Sequence, residues 1–134
     1  MGRLDRGCVL DTNILIYHLD GKLPEMGEQL LEQAFENNAC YSLITRIELM
    51  GWKKHTPDSL RDARDLLASL REQVLNEPLV EKCIALRRSL MIKLPDAIIA
   101  ATALHLNLPL VTRNTSDFQS IENLQLIDPF SSQE

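Results

Sequence analysis

Apolar residues follow two rhythms along this chain. Short continuous runs at Gly7 to Asp11, Ala39 to Leu43, Pro109 to Thr112 and Leu124 to Ile127 have the length of buried strands, and Gln73 to Leu75 is a shorter candidate. Between them, apolar positions recur every three or four residues, the spacing of one helix face. A helix is predicted from Ile14 to Leu19. Another opens with Pro24 in its first turn, carries Met26, Leu30, Leu31, Ala34 and Phe35 on one side, and closes at Asn37-Asn38. Further helices are predicted from Thr45 through Trp52, over Pro57 to Leu70, around Leu79, Cys83, Leu86 and Leu90, and from Pro95 through Leu104. The last is apolar on nearly every side and is expected to be buried. Arg113 to Ser120 reads as a loop with one helical turn, and the tail after Asp128-Pro129 as loose.

Short apolar strands separated by helices predict an α/β fold of three layers, α/β/α, around a central parallel sheet of four to five strands. The 134 residues fit one domain spanning 1–134, because two would leave each core marginal. Apolar residues make up 45% and charged residues 25%, which excludes disordered and fibrous classes. No apolar stretch reaches the roughly 20 residues that span a bilayer. Met1 to Val9 lacks the apolar core and cleavage site of a signal peptide, so a cytoplasmic protein without membrane contact is expected. Cys8, Cys40 and Cys83 are odd in number and widely spaced, which predicts small buried hydrophobes and no disulfide framework or zinc ribbon.

Carboxylates are where the sequence carries chemistry. In an open parallel sheet, ligands bind at the carboxyl ends of the strands. Asp11 ends the first strand, Glu48 lies one turn into the helix after the second, and Asp117 lies in the loop after the strand ending at Thr112. Asp96 follows Pro95 in the first turn of the apolar helix. Each acid also has a structural explanation. Asp11 could cap the following helix, Thr45-Arg46-Ile47-Glu48 matches a capping box, Asp96 could complement a helix dipole, and Asp117 could form an Asx-turn.

Together the four acids fall at one edge of one sheet, where mutual repulsion calls for a neutralising cation. Oxygen ligands without a cysteine or histidine cluster favour Mg2+ or Mn2+ over zinc. His18, His55 and His105 have no metal-ligating spacing and read as ordinary helix residues. Carboxylate-held metals suit phosphodiester hydrolysis. The net charge of −5 means that a nucleic-acid enzyme would need local compensation, for which Arg46, Lys53, Lys54, His55, Arg61, Arg64, Arg87, Arg88 and Arg113 are candidates. Two other readings compete: a receiver-like or phosphatase-like Mg-binding domain, and a non-catalytic binding module. The first expects a lysine after a late strand, which Thr112-Arg113-Asn114 does not supply. The second leaves four clustered acids unexplained.

The fragments Val9-Leu10-Asp11-Thr12-Asn13, Ser42 to Leu49, Pro95-Asp96-Ala97 with Ile99 to Ala103, and Leu110 to Asn114 with Asp117-Phe118 occur in an order and spacing that resemble PIN-domain ribonucleases, most closely VapC-type toxins of bacterial toxin–antitoxin pairs. The resemblance covers nearly the whole chain. It implies an endoribonuclease that inhibits translation, using Mg2+ or Mn2+ held by Asp11, Asp96 and Asp117. Glu48 would complete the site as a ligand, through a water, or by orienting the nucleophile. Thr12, Asn13, Thr112 and Asn114 would form a polar supporting shell. Relatives vary at the position of Asn114, an amide here, which favours Asp117 as the fourth carboxylate. The resemblance further implies an RNA substrate, a homodimer, and an antitoxin whose segment lies across the site.

Overall fold

The computed structural model describes Leu4 and residues 6–131; expectations for the extreme termini, including tail residues 132–134, fall outside the described residues. Five short strands, β1 (Val9–Leu10), β2 (Cys40–Ser42), β3 (Arg71–Gln73), β4 (Leu110–Val111) and β5 (Leu126–Ile127), form one parallel sheet in the order β3-β2-β1-β4-β5. Seven helices surround it among the described residues: α1 (Thr12–Leu19), α2 (Glu25–Glu36), α3 (Leu43–Met50), α4 (Pro57–Ala68), α5 (Glu77–Ser89), α6 (Leu94–Leu106) and α7 (Thr115–Phe118). None is long and apolar enough to cross a membrane.

Strand alternation produces the three layers, because successive side chains leave a sheet on opposite faces. Leu10, Tyr41, Val111 and Ile127 pack with Ile14, Leu31 and Ala63 on one face. Their neighbours Val9, Cys40 and Leu110 pack with Ile99, Ala100, Ala103 and Phe118 on the other. Helix α6 is buried over much of its length, as its all-round apolar composition predicts, and α5 seals it by packing Leu79 and Cys83 against Ala97 and Ala101 of α6. All three cysteines are free and buried.

Several boundaries differ from the sequence pattern. The third strand is Arg71–Gln73; Val74 and Leu75, whose apolarity drew the prediction onward, are half exposed at the sheet edge. Helix α3 begins at Leu43, capped by Ser42, whose hydroxyl accepts the Ile44 N–H at 3.2 Å. The expected start at Thr45 is therefore two residues late. Pro24 is the residue before α2 and caps it without a side-chain bond. His55 lies between α3 and α4, held by Ser59 and the Leu49 carbonyl, each at 2.8 Å. The tail, expected loose, is anchored at Phe130 against Tyr17, with ring centroids 4.9 Å apart.

From β1 the chain steps outward to β3, then returns through α5 and α6 to place β4 on the other side of β1. The connections thus diverge between β1 and β4. That switch point is where an open parallel sheet leaves a crevice at its carboxyl edge.

Candidate functional site at the carboxyl edge

Asp11 sits in the crevice between β1 and β4. It is only 4% exposed, and its backbone N–H completes the ladder with the Val111 carbonyl at 3.0 Å. It caps α1 in extended conformation; Oδ1 accepts the Thr12 N–H at 2.8 Å, and Oδ2 accepts the Thr112 hydroxyl at 2.7 Å. Asp11 is thus the N-cap of α1, as its place before the helix allows. Burial pushes its pKa up to about 6, against the two hydrogen bonds, and the negative charges of Asp96 and Glu48 add to the rise.

Asp96 projects from the first turn of α6 and is half-buried. Its pKa is also raised, first by burial and then by the charges of Asp117 and Glu48, with Lys93 opposing. Asp96 thus couples electrostatically to all three other acids. Asp117, exposed on α7, is the carboxylate whose charge reaches Asp96 beside Asn114. The Asn114 side chain makes no cap bond, while its backbone N–H donates to Thr112 Oγ1 at 3.0 Å.

Glu48 lies on the exposed side of α3, and its Oε1 accepts the Thr12 hydroxyl at 2.7 Å. The Thr45 hydroxyl lies 2.9 Å from Thr12 Oγ1. No capping box forms here, because Ser42 has already capped the helix and frees both Thr45 and Glu48 to face α1. Reading Thr45 as a cap missed its place beside the site. The available signal was its position one turn before Glu48, on the same helix face. An apolar cleft of about 240 Å³ flanks Glu48, with Ile16, Leu49, Trp52 and His55 in its walls.

Among the described residues, no three His, Cys, Asp or Glu side chains form a ready group that could hold a metal ion. The donor chemistry nevertheless fits a hard divalent cation. Asp11 feels the charges of Asp96 and Glu48, Asp96 feels those of Asp117 and Glu48, both have raised pKa values, and Asn13 Oδ1, two residues after Asp11, is buried without a hydrogen-bond partner.

The basic candidates divide. Arg46 is spent on Glu72, with contacts of 2.6 and 3.1 Å, and Arg61 pairs with Asp58 at 2.9 Å. Arg87 donates to the Ile92 carbonyl at 2.8 Å. Lys53 and Lys54 stand exposed just beyond the helix that carries Glu48.

The PIN domain family pattern matches residues 8–124, a span that includes all four acids. The chain belongs to the PIN domain family. Among solved structures, this PIN domain is similar to a chain of a toxin-antitoxin complex from Klebsiella pneumoniae at 36% identity, covering 94% of this chain and all of that one, with a TM-score of 0.77. It is also similar to chains of VapBC-1 from nontypeable Haemophilus influenzae (29% identity, 92% and 98% covered, TM-score 0.75) and of VapBC2 from Rickettsia felis bound to a promoter DNA fragment (27% identity, 90% and 96% covered, TM-score 0.75). No curated protein matches the sequence. PIN domains are typically nucleases and generally metal-dependent.

Proposed function

We propose that this PIN domain is the toxin of a type II toxin–antitoxin pair and acts as a Mg2+- or Mn2+-dependent endoribonuclease that inhibits translation. The observation that carries the reading is Asp11, a carboxylate buried at the switch point, raised in pKa and coupled to Asp96 and Glu48. A fold with no use for a cation gains nothing from this repulsion. The 36% identity to a chain of a toxin-antitoxin complex supports the toxin assignment.

In this reading Asp11, Asp96 and Asp117 hold the cation. When bound, it supplies charge neutralisation and Lewis acidity toward a phosphodiester. Asp11 offers an oxygen fixed by Thr112 and Thr12, and Asp96 offers one from the rigid first turn of α6. The Asn13 Oδ1 adds a buried acceptor at the same edge. Glu48, with Oε1 tied to Thr12, presents Oε2 to take the proton of the attacking water. Lys53 and Lys54 draw the RNA backbone toward Glu48. The partners are RNA, a second copy of the chain, and a cognate antitoxin whose segment enters the apolar cleft beside Glu48.

The test is cleavage of a total RNA pool by purified protein with Mg2+ or Mn2+, with EDTA, and with an Asp96→Asn control. Discrete metal-dependent products absent in the variant support the nuclease. Intact RNA together with no metal binding by calorimetry overturns it in favour of a non-catalytic binding module.

A further inference from the structure

We propose that Thr45 is a positioning residue that fixes the Glu48 carboxylate through the hydroxyl of Thr12; its place in cleavage rests on the nuclease reading above. Thr12 Oγ1 lies 2.7 Å from Glu48 Oε1 and 2.9 Å from Thr45 Oγ1. A carboxylate only accepts, and a hydroxyl has one proton. The Thr12 proton therefore goes to Glu48, and the Thr45 hydroxyl must donate to Thr12. The order Thr45 to Thr12 to Glu48 follows from this count.

The environment makes the chain selective. Thr45 is fully buried and Thr12 is 7% exposed, so water does not compete for either hydroxyl, whereas Glu48 is exposed and has freedom to lose. An exposed glutamate ordinarily samples several rotamers. Here the helix that carries it, α3, is tied to α1 through two buried hydroxyls. Because Thr45 and Glu48 lie on one face of α3 and Thr12 opens α1, right after Asp11, the chain also sets the spacing between Glu48 and Asp11.

The experiment compares the wild-type protein with Thr45→Val, Thr45→Ser and Thr45→Ala. Glu48 rotamer populations are read from NMR side-chain couplings without metal, and Mn2+ affinity by calorimetry. Valine matches threonine in shape and replaces its hydroxyl with a methyl group; the alanine variant removes the hydroxyl without steric demand and decides the question if valine perturbs folding. The expected result is one Glu48 rotamer in wild type and Thr45→Ser, and averaging in Thr45→Val. Mn2+ binding should weaken about tenfold in Thr45→Val, the lower end for loss of a supporting hydrogen bond, and in a Glu48→Ala background it should lose nothing further. Unchanged Glu48 rotamers in the valine and alanine variants overturn the proposal, as does an equal Mn2+ loss with Glu48 absent. Wild-type protein that binds no Mn2+ overturns the metal-dependent reading instead, and the rotamer measurement then decides the role of Thr45 by itself.

Discussion

The Thr112 hydroxyl donates to Asp11 Oδ2 at 2.7 Å, joining the carboxyl ends of β4 and β1 across the switch point of the sheet. The same Thr112 oxygen accepts the Asn114 N–H at 3.0 Å, so one side chain fixes both the buried acid and the start of the loop to Asp117. Burial and hydrogen bonding act oppositely on Asp11, and burial wins, leaving its pKa near 6.

Thr112→Val should therefore raise the Asp11 pKa further, because it removes the larger of the two bonds that favour the carboxylate. At neutral pH the loss of a hydrogen bond to a buried charge should cost about 1.5–3 kcal/mol, and cleavage should fall about tenfold. Carboxyl 13C titration of Asp11 and urea denaturation test both. An Asp11 midpoint that stays put or falls would show that Thr112 does not control it.

Asp11→Asn should abolish cleavage yet stabilise the metal-free protein. The folded pKa of about 6 lies above the ordinary 3.8, so between those values the folded state holds more protons than the unfolded state. Stability from this group is complete below about pH 4, declines as pH rises to about 6, and is flat beyond. At 1.36 kcal/mol per pH unit the penalty at neutral pH is up to about 3 kcal/mol, with Asp96 adding the same sign. Denaturation in EDTA at pH 4 to 8 should show a smaller loss of stability as pH rises from 4 to 6 in the variant than in wild type; parallel curves would refute the assignment.

The acids were legible because strand ends and helix starts are marked by a change from apolar to polar residues, as at Leu10-Asp11 and Pro95-Asp96. The sheet order was not, since pairings such as Val9 with both Cys40 and Leu110 are set by long-range packing. Strand lengths were overread for a related reason: apolar residues such as Cys8 and Ala39 are buried beside the ladder without belonging to it. The edge strand Arg71-Glu72-Gln73 is polar, and Glu72 serves Arg46, so its sequence resembles a loop. Thr45 was misread because a capping box and a site hydroxyl share one local pattern, and only the position of Thr12 distinguishes them.

The absence of that capping box makes a prediction of its own. Ser42→Ala should cost about 1 kcal/mol, because Ser42 satisfies an otherwise unpaired N–H at the start of α3. Glu48→Gln should leave stability within about 0.5 kcal/mol, because the side chain is exposed and glutamine keeps an oxygen to accept the Thr12 hydroxyl, while it slows cleavage. Urea denaturation decides between them; a larger loss for Glu48→Gln than for Ser42→Ala would mean that Glu48, and not Ser42, holds the helix start.

Arg113 should prove to be a clamp on the chain terminus and not an RNA contact. Its guanidinium carbon lies 4.0 Å from the Phe130 ring centroid and 5.3 Å from that of Tyr17, and Nη1 donates to the Tyr17 hydroxyl at 3.1 Å. Together these contacts bind the loop after β4, helix α1 and the segment after β5. Ring pairing and cation–π attraction put the loss in Phe130→Ala at about 1–2 kcal/mol. Arg113→Ala should lose a comparable amount, and the double variant should fall short of the sum because the groups act as one stack. Arg113→Lys should recover less than half, since an ammonium has no planar face to lay on a ring. If Arg113 instead neutralised a phosphate, Arg113→Ala would lower the log–log salt slope of RNA binding by about 0.7 for a single strand. The expected slope is that of the wild type, and a drop of that size would move Arg113 from the clamp to the RNA-binding surface.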